Sequence, residues 1–304
     1  MFELAAAAPE APHQGVGPSQ PTCRLIDGER VAARMREQIR ERATALSRLH
    51  GQRPALVTIR IGETFTSSLH VRAQIRACAD AGIHCIEEVF PRDATQAEIV
   101  ALIDHLNEDR RVSGILCQLP VPIHLDPIEL INRIDPQKDV DGLTIANVGR
   151  LSAGASGVRP CTPLAVMLLL SAARVELRGA HAVVIGSSNL VGKPTTQLML
   201  SAGAAVTQCH KDSRRLEQIA RNADVLVTAV GQPEMVRGSW IKPGAVVVDV
   251  GVSRRRQHLV GDVCQSEALR VAGAFAPVPG GVGPIAIACL MSNTLRAAND
   301  QYSA

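Results

Sequence analysis

Short β-branched runs alternate with segments of helical periodicity along nearly the whole chain, and this alternation constrains the fold more than any other feature. Ala55–Ile61 and residues 85–90 and 114–118 read as strands. The segment 30–49 between the start and the first of them carries Val31, Met35, Ile39, Ala43 and Leu46 at helical spacing. Residues 67–81 read as a second helix, closed by Gly82, and residues 95–107 as a third. A second group follows: a helix over 162–173, then strands at His181–Ile185, Ala205–Cys209, 225–230 and 245–250, with helices over 193–202 and 214–222 between them. Strands that alternate with helices predict parallel sheets covered on both faces, an α/β fold.

The 304 residues, 46% of them hydrophobic, are enough for two domains with separate cores. The first is expected over 24–146, completed by a C-terminal helix over 284–299, and the second over 147–283. Residues 1–23 are rich in Ala, Pro and Gly, lack a basic start and a continuous apolar run, and read as a disordered tail rather than a signal peptide. A net charge of +3 and 2% aromatic content argue against a nucleic-acid surface, and no apolar stretch reaches membrane-spanning length. The eight cysteines form no Cys-x-x-Cys pair and no zinc-like cluster with histidines, so no metal is expected. Free cysteines in apolar runs point to a reducing cytoplasm.

After His181–Ile185 comes Gly186-Ser187-Ser188-Asn189-Leu190-Val191-Gly192-Lys193-Pro194. A Gly at the strand end permits a sharp turn, and a second Gly lets a phosphate approach the next helix N-terminus. Lys193 is either a further cation for that phosphate or a solvated side chain. The next strand ends in Cys209-His210-Lys211, followed by Arg214 and Arg215. A dinucleotide site for NAD usually carries an Asp or Glu there, on the ribose hydroxyls. Cations in its place favour the 2′-phosphate of NADP; a solvated basic loop is the alternative.

Further motifs stand in order along the chain. They are Gln118-Leu119-Pro120-Val121-Pro122, Lys138-Asp139-Val140-Asp141-Gly142, Asn147-Val148-Gly149-Arg150-Leu151, Pro160-Cys161-Thr162-Pro163, and Pro277-Val278-Pro279-Gly280-Gly281-Val282-Gly283-Pro284 with Asn293-Thr294 beyond. Together with Gly186, Ser188, Val191, Gly192 and Pro194 they resemble the methylenetetrahydrofolate dehydrogenase/cyclohydrolase family, from about Leu25 to Asn299. The resemblance implies two domains around a cleft, a homodimer, a tetrahydrofolate derivative as substrate and NADP as cofactor, in one-carbon metabolism. It implies hydride transfer from 5,10-methylenetetrahydrofolate to NADP, then hydrolysis of the methenyl product to 10-formyltetrahydrofolate. By resemblance, Asp141 holds the pterin ring, Gln118 stands near the one-carbon unit, and Pro120, Gly280 and Gly281 line the substrate site. Gly186, Ser188, Asn189, Val191, Gly192, Lys193, His210 and Lys211 are assigned to the cofactor. Read alone, Asp141 is a capping residue, Gln118 a structural strand-end residue and the glycines a bare turn.

Two positions depart from the family. Its Ser-x-x-Tyr-x-x-x-Lys motif reads here Ser67 through Gln74, with His70 at the tyrosine and Gln74 at the lysine. Glutamine cannot titrate, and loss of a general acid–base group costs about 10²–10⁴-fold. His70, one helical turn earlier, titrates near neutral pH and is the alternative proton carrier; a histidine without a role is the plain reading. The expected activity is the dehydrogenase, with cyclohydrolase implied by resemblance. The rivals are a diverged paralogue acting on another one-carbon carrier and a silent folate- or NADP-binding protein.

Overall fold

Seven consecutive residues of β2 (Ala55–Ile61) are almost entirely buried, because this strand sits at the centre of a sheet with both faces covered. It pairs in parallel with β3 (His84–Phe90) on one side and β4 (Gly114–Cys117) on the other. The computed structural model describes residues 23–62, 65–255 and 258–303, and of residues 65–70 the backbone alone. Apart from Cys23, the predicted tail lies outside the described residues. Three helices accompany the sheet: α1 (Gly28–His50), α2 (Phe65–Ala81) and α3 (Gln96–Glu108). Asp27 caps α1 by accepting from the Arg30 N–H at 3.0 Å, and Thr95 with Glu98 forms a capping box at the start of α3.

The second sheet has six parallel strands among the described residues, in the order β1-β11-β8-β7-β5-β6. These are β1 (Arg24–Leu25), β5 (His181–Ile185), β6 (Ala205–Cys209), β7 (Val225–Thr228), β8 (Val246–Asp249) and β11 (Ala274–Ala276). Helices α6 (Cys161–Ala172), α7 (Gly192–Ser201), α8 (Leu216–Ala220) and α9 (Gln265–Val271) lie in the same half of the chain, and a short hairpin joins β9 (Ser253–Arg255) to β10 (His258–Val260). The last helix, α10 (Val282–Tyr302), packs against both α1 and α6, so one element serves both halves.

The α/β class and parallel sheets agree with the sequence reading. Local departures have physical causes. β7 stops at Thr228, short of residue 230, because the Val230 and Gly231 N–H groups donate to the Asp262 carboxylate at 2.6 and 3.2 Å instead of a neighbouring strand. α8 starts late because Arg215 is left-handed, with φ 57°. β1 belongs in sequence to the first unit but pairs with β11, anchored by Arg24 N to Gly273 O at 3.0 Å and Ile26 N to Phe275 O at 2.8 Å. Helices α4 (Pro127–Arg133) and α5 (Ile145–Ser152), together with α9, the hairpin, β1 and β11, were not anticipated.

Candidate active site

Gln74 and Gln118 come from different elements and meet. Gln74 sits on α2 and is 4% exposed; Gln118 follows β4, its N–H extending the ladder to Ile59 O at 2.9 Å. The Gln118 Nε2 donates to Gln74 Oε1 at 2.7 Å. This leaves the Gln74 NH₂ as a donor and the Gln118 Oε1 as an acceptor for a ligand. Both residues line a small cavity of about 140 Å³ with Asp141, Cys161, Thr162 and Leu190 of the glycine-rich loop. Gln118, Leu119, Thr162 and Ala286 also line an adjoining cleft of about 860 Å³. The size suits an organic ligand. Pro120, Gly280 and Gly281 face this cleft too. His70 lies on α2 just before Gln74, and its side chain is outside the described residues.

The motif Lys138-Asp139-Val140-Asp141-Gly142 divides its charges by task. Lys138 is buried and donates from Nζ to the Leu106 and Asp109 carbonyls, both at 2.8 Å. Asp139 accepts from Gly142 N at 2.8 Å, Thr144 N at 2.9 Å, Thr144 Oγ1 at 2.8 Å and Asn147 Nδ2 at 2.9 Å. These two hold the turn. Asp141 faces the cavity. Burial, and then the nearby Asp139 carboxylate, push its pKa up to about 7, against the opposing pull of hydrogen bonds from Cys161. Asn293 of α10 braces the same turn, donating from Nδ2 to Val140 O at 2.8 Å and Arg159 O at 3.0 Å.

The Gly-rich turn before α10 is pinned to α1: Gly28 N donates to Gly280 O at 2.9 Å, and a Cβ on Gly28 would stand 1.8 Å from Gly281 O. Gly280 has φ 95°, a conformation that favours glycine.

At the start of α7, a Cβ on Gly192 would stand 2.1 Å from Gly186 O. The two glycines let strand end and helix start touch, and the first α7 N–H groups turn onto their own loop, Gly192 N donating to Ser188 Oγ at 3.5 Å and Lys193 N to Ser188 O at 3.1 Å. Ser188 Oγ accepts from Val191 N at 3.1 Å, and Lys193 Nζ donates to Asn189 Oδ1 at 2.8 Å, so Lys193 is tied to its own loop. Thr195 Oγ1, fully buried in the first turn of α7, has no hydrogen-bond partner. A tight Gly–Gly contact at a helix N-terminus suits a dinucleotide phosphate. His210 and Lys211 follow β6 and line neither cavity; Lys211 pairs at 3.6 Å with Asp212. Arg214 is exposed beside them.

Sequence reasoning missed several lining residues of the large cleft. Arg36 and Glu29 of α1, Arg76 and Asp80 of α2, Asp249 of β8, Val252 just before β9 and Leu259 of β10 all face it. Arg76 and Asp80 share the helical face signal of Gln74's helix, but only tertiary packing brings α1 and the hairpin opposite them. Among the described residues no three His, Cys, Asp or Glu side chains group to hold a metal, and no helix is long and apolar enough to cross a membrane.

Residues 26–141 match the catalytic domain of tetrahydrofolate dehydrogenase/cyclohydrolase, and residues 160–302 match its NAD(P)-binding domain. The chain belongs to the tetrahydrofolate dehydrogenase/cyclohydrolase family. Within that family it is 51% identical over 278 residues to the bifunctional protein FolD of Bordetella avium, covering 91% of this chain and 98% of that one. It is 40% identical, with a TM-score of 0.88, to the bifunctional FolD dehydrogenase/cyclohydrolase of Campylobacter jejuni, covering 91% of this chain and 98% of that one. The Trypanosoma brucei FolD dehydrogenase-cyclohydrolase, solved with NADP and an inhibitor, is 36% identical with a TM-score of 0.90, over 93% of this chain and all of that one. The family reading and the α/β fold drawn from sequence are borne out.

Proposed function

We propose that this protein is an NADP-dependent 5,10-methylenetetrahydrofolate dehydrogenase of one-carbon metabolism in which hydrolysis of the methenyl product lags. The observation that carries the reading is the meeting of Gln74, Gln118 and Asp141 with Leu190 of the dinucleotide loop on one cavity, open to a cleft that both halves of the chain line. The half over 24–146, with α10, is the folate side; the half over 147–283 is the cofactor side.

Asp141 pairs with the adjacent ring N–H and amino group of the pterin, a bidentate match for a carboxylate. Gln74 and Gln118, locked to each other, border the one-carbon bridge. Gly186, Ser188, Asn189, Val191 and Gly192 hold the cofactor diphosphate, with His210, Lys211 and Arg214 beside the 2′-phosphate. Bound NADP supplies the hydride acceptor. Losing hydride leaves the substrate carbon as a methenyl cation shared between two nitrogens, and no side chain has to titrate; the protein's task is alignment. Hydrolysis differs, because attacking water must lose a proton and a ring nitrogen must gain one. A Gln–Gln pair can orient that water through Gln118 Oε1 but cannot carry its proton.

Arg36 of α1 and Arg76 of α2 line the cleft from two helices that pack on each other. Arg36 is half-buried, its guanidinium 4.0 Å from the Glu29 carboxylate. They suit the carboxylates of the substrate's glutamate tail. A homodimer in the cytoplasm completes the proposal. The open edge of β3, where Val89 is 51% exposed, supports the first, and eight free thiols support the second.

The deciding experiment mixes purified protein with methylenetetrahydrofolate and NADP and follows reduced cofactor and methenyl product together. Methenyltetrahydrofolate is expected to accumulate up to the limit of its spontaneous hydrolysis. Gln74→Lys with His70→Tyr is expected to remove the accumulation. Wild-type hydrolysis well above the buffer rate would refute the lag, and His70→Ala would then show whether His70 carries the proton.

A further inference from the structure

Asp262 lies between β10 and α9 and is completely buried, yet its carboxylate serves a loop at the surface. That loop leaves β7. Val230 N and Gly231 N donate to Asp262 Oδ2 at 2.6 and 3.2 Å, and Gln232 N donates to Oδ1 at 2.8 Å. Gly231 and Gln232 are exposed, and Gly231 has φ 68°. A second carboxylate fixes Asp262 itself. Asp249, at the end of β8, accepts from Asp262 N at 3.0 Å, Val263 N at 2.9 Å and Thr228 Oγ1 at 3.2 Å. Glycines make the room: a Cβ on Gly251 would stand 2.1 Å from the Asp262 carboxylate, and one on Gly261 1.9 Å from Asp249 Oδ2. Burying a carboxylate is costly unless donors satisfy it, and the three N–H groups on Asp262 are consecutive groups of this one loop.

Sheet topology says what the loop is near. β5 has β6 on one side and β7 on the other. A parallel sheet that reverses its order in this way opens a crevice at the carboxyl ends of those strands, where dinucleotides lie. Residues 186–192 flank that crevice from β5 and residues 229–232 from β7. The two loops touch, since a Cβ on Gly186 would stand 2.7 Å from Ala229 O. With the 2′-phosphate beside the end of β6 and the diphosphate at the end of β5, the nicotinamide riboside falls at the ends of β7 and β8. There Asp249 and Val250 line the large cleft.

We propose that Asp262 is a positioning residue for hydride transfer: by holding residues 230–232 it fixes the nicotinamide riboside half of the cofactor against the folate cleft. The proposal rests on the dehydrogenase reading. Asp262 acts through the loop. Because the loop N–H groups are turned onto Asp262, the loop meets a ligand with carbonyl oxygens, which suit ribose hydroxyls and a carboxamide NH₂.

Asp262→Asn in the full-length protein is the test. The amide keeps the shape, removes a buried charge and turns an NH₂ onto at least one of the three loop N–H groups. Calorimetry measures the affinity for NADP and for adenosine 2′,5′-bisphosphate, which lacks the nicotinamide riboside. Dehydrogenase rate is counted per calorimetric binding site, so unfolded protein does not enter it. Affinity for the bisphosphate is expected to stay within about twofold of wild type and that for NADP to fall roughly tenfold, as loss of one hydrogen bond to a charged group implies. The kcat per site is expected to fall about ten- to hundredfold, since misplacement by about 1 Å can cost 10²-fold. Equal weakening of both ligands would make Asp262 a scaffold residue of the whole cofactor half and overturn the proposal. Unchanged NADP affinity, or unchanged kcat per site, would overturn it too. The kcat arm needs turnover and the affinity arm does not. Wild-type protein without turnover would sink the dehydrogenase reading, and the two affinities would still decide this one.

Discussion

At the scale of single residues, the chemistry turns on one carboxylate. Asp141 has its pKa raised to about 7 by burial and by Asp139, and the pterin pair needs the ionised form. Folate KM is therefore expected to rise as pH falls through 7, while cofactor KM stays level. Asp141→Asn should remove this pH dependence and weaken folate binding by roughly thirtyfold, the cost of about 2 kcal/mol for a lost charge-assisted hydrogen bond. Titrating both ligands against the variant checks it; unchanged folate affinity takes Asp141 out of the site. The same raised pKa has a consequence for stability. Between an unfolded value near 3.8 and a folded value near 7, the folded protein holds the extra proton, so this contribution is complete below about 4 and is lost as pH rises through 7. Asp141→Asn is thus expected to raise Tm at pH 8 more than at pH 5. A smaller gain at pH 8 would count against burial as the cause.

At the scale of elements, β2 and β5 were legible to the residue because buried parallel strands are near-continuous apolar runs, and the half-exposed edge strand β6 because Val206 and Thr207 follow the turn at Gly203. The elements that escaped were short or made by partners far along the chain. α4 has seven residues, α5 eight, and β1 exists only because β11 receives it. The cofactor loop was legible from its glycines, but the reason for Gly192 was not, since that lies in the backbone it touches. Gly192→Ala would place a Cβ 2.1 Å from Gly186 O, so the strand–helix junction must open. NADP binding is expected to be lost with a lower Tm, and folate affinity largely kept, by calorimetry with each ligand. At the end of β6, Arg214→Ala is expected to raise KM for NADP roughly tenfold and leave KM for NAD unchanged, as loss of one charge-assisted phosphate contact implies. Equal effects on both cofactors would place the 2′-phosphate elsewhere.

At the scale of the whole molecule, the cleft could not be read from any one segment. Gln74, Gln118 and Asp141 are separated by 44 and 23 positions, yet line one cavity, and family motifs pointed to all three. Arg36 and Arg76 carried no such mark. They become neighbours of the site only because α1 and α2 pack on the same side of the first sheet, with α10 closing the gap between the halves. Their charge predicts a tail-dependent effect. Arg36→Ala and Arg76→Ala are each expected to raise KM for methylenetetrahydrofolate by about three- to tenfold, within the range of one partly exposed ion pair, with kcat unchanged. The effect should grow with the number of glutamates and shrink as salt rises, because exposed charges are screened. With a methylenetetrahydropteroate substrate, which has no glutamate, wild type and variants should be indistinguishable. A KM rise that persists on the tailless substrate would mean that the arginines shape the cleft rather than bind the tail. A fall in kcat without a change in KM would move them to the reacting centre.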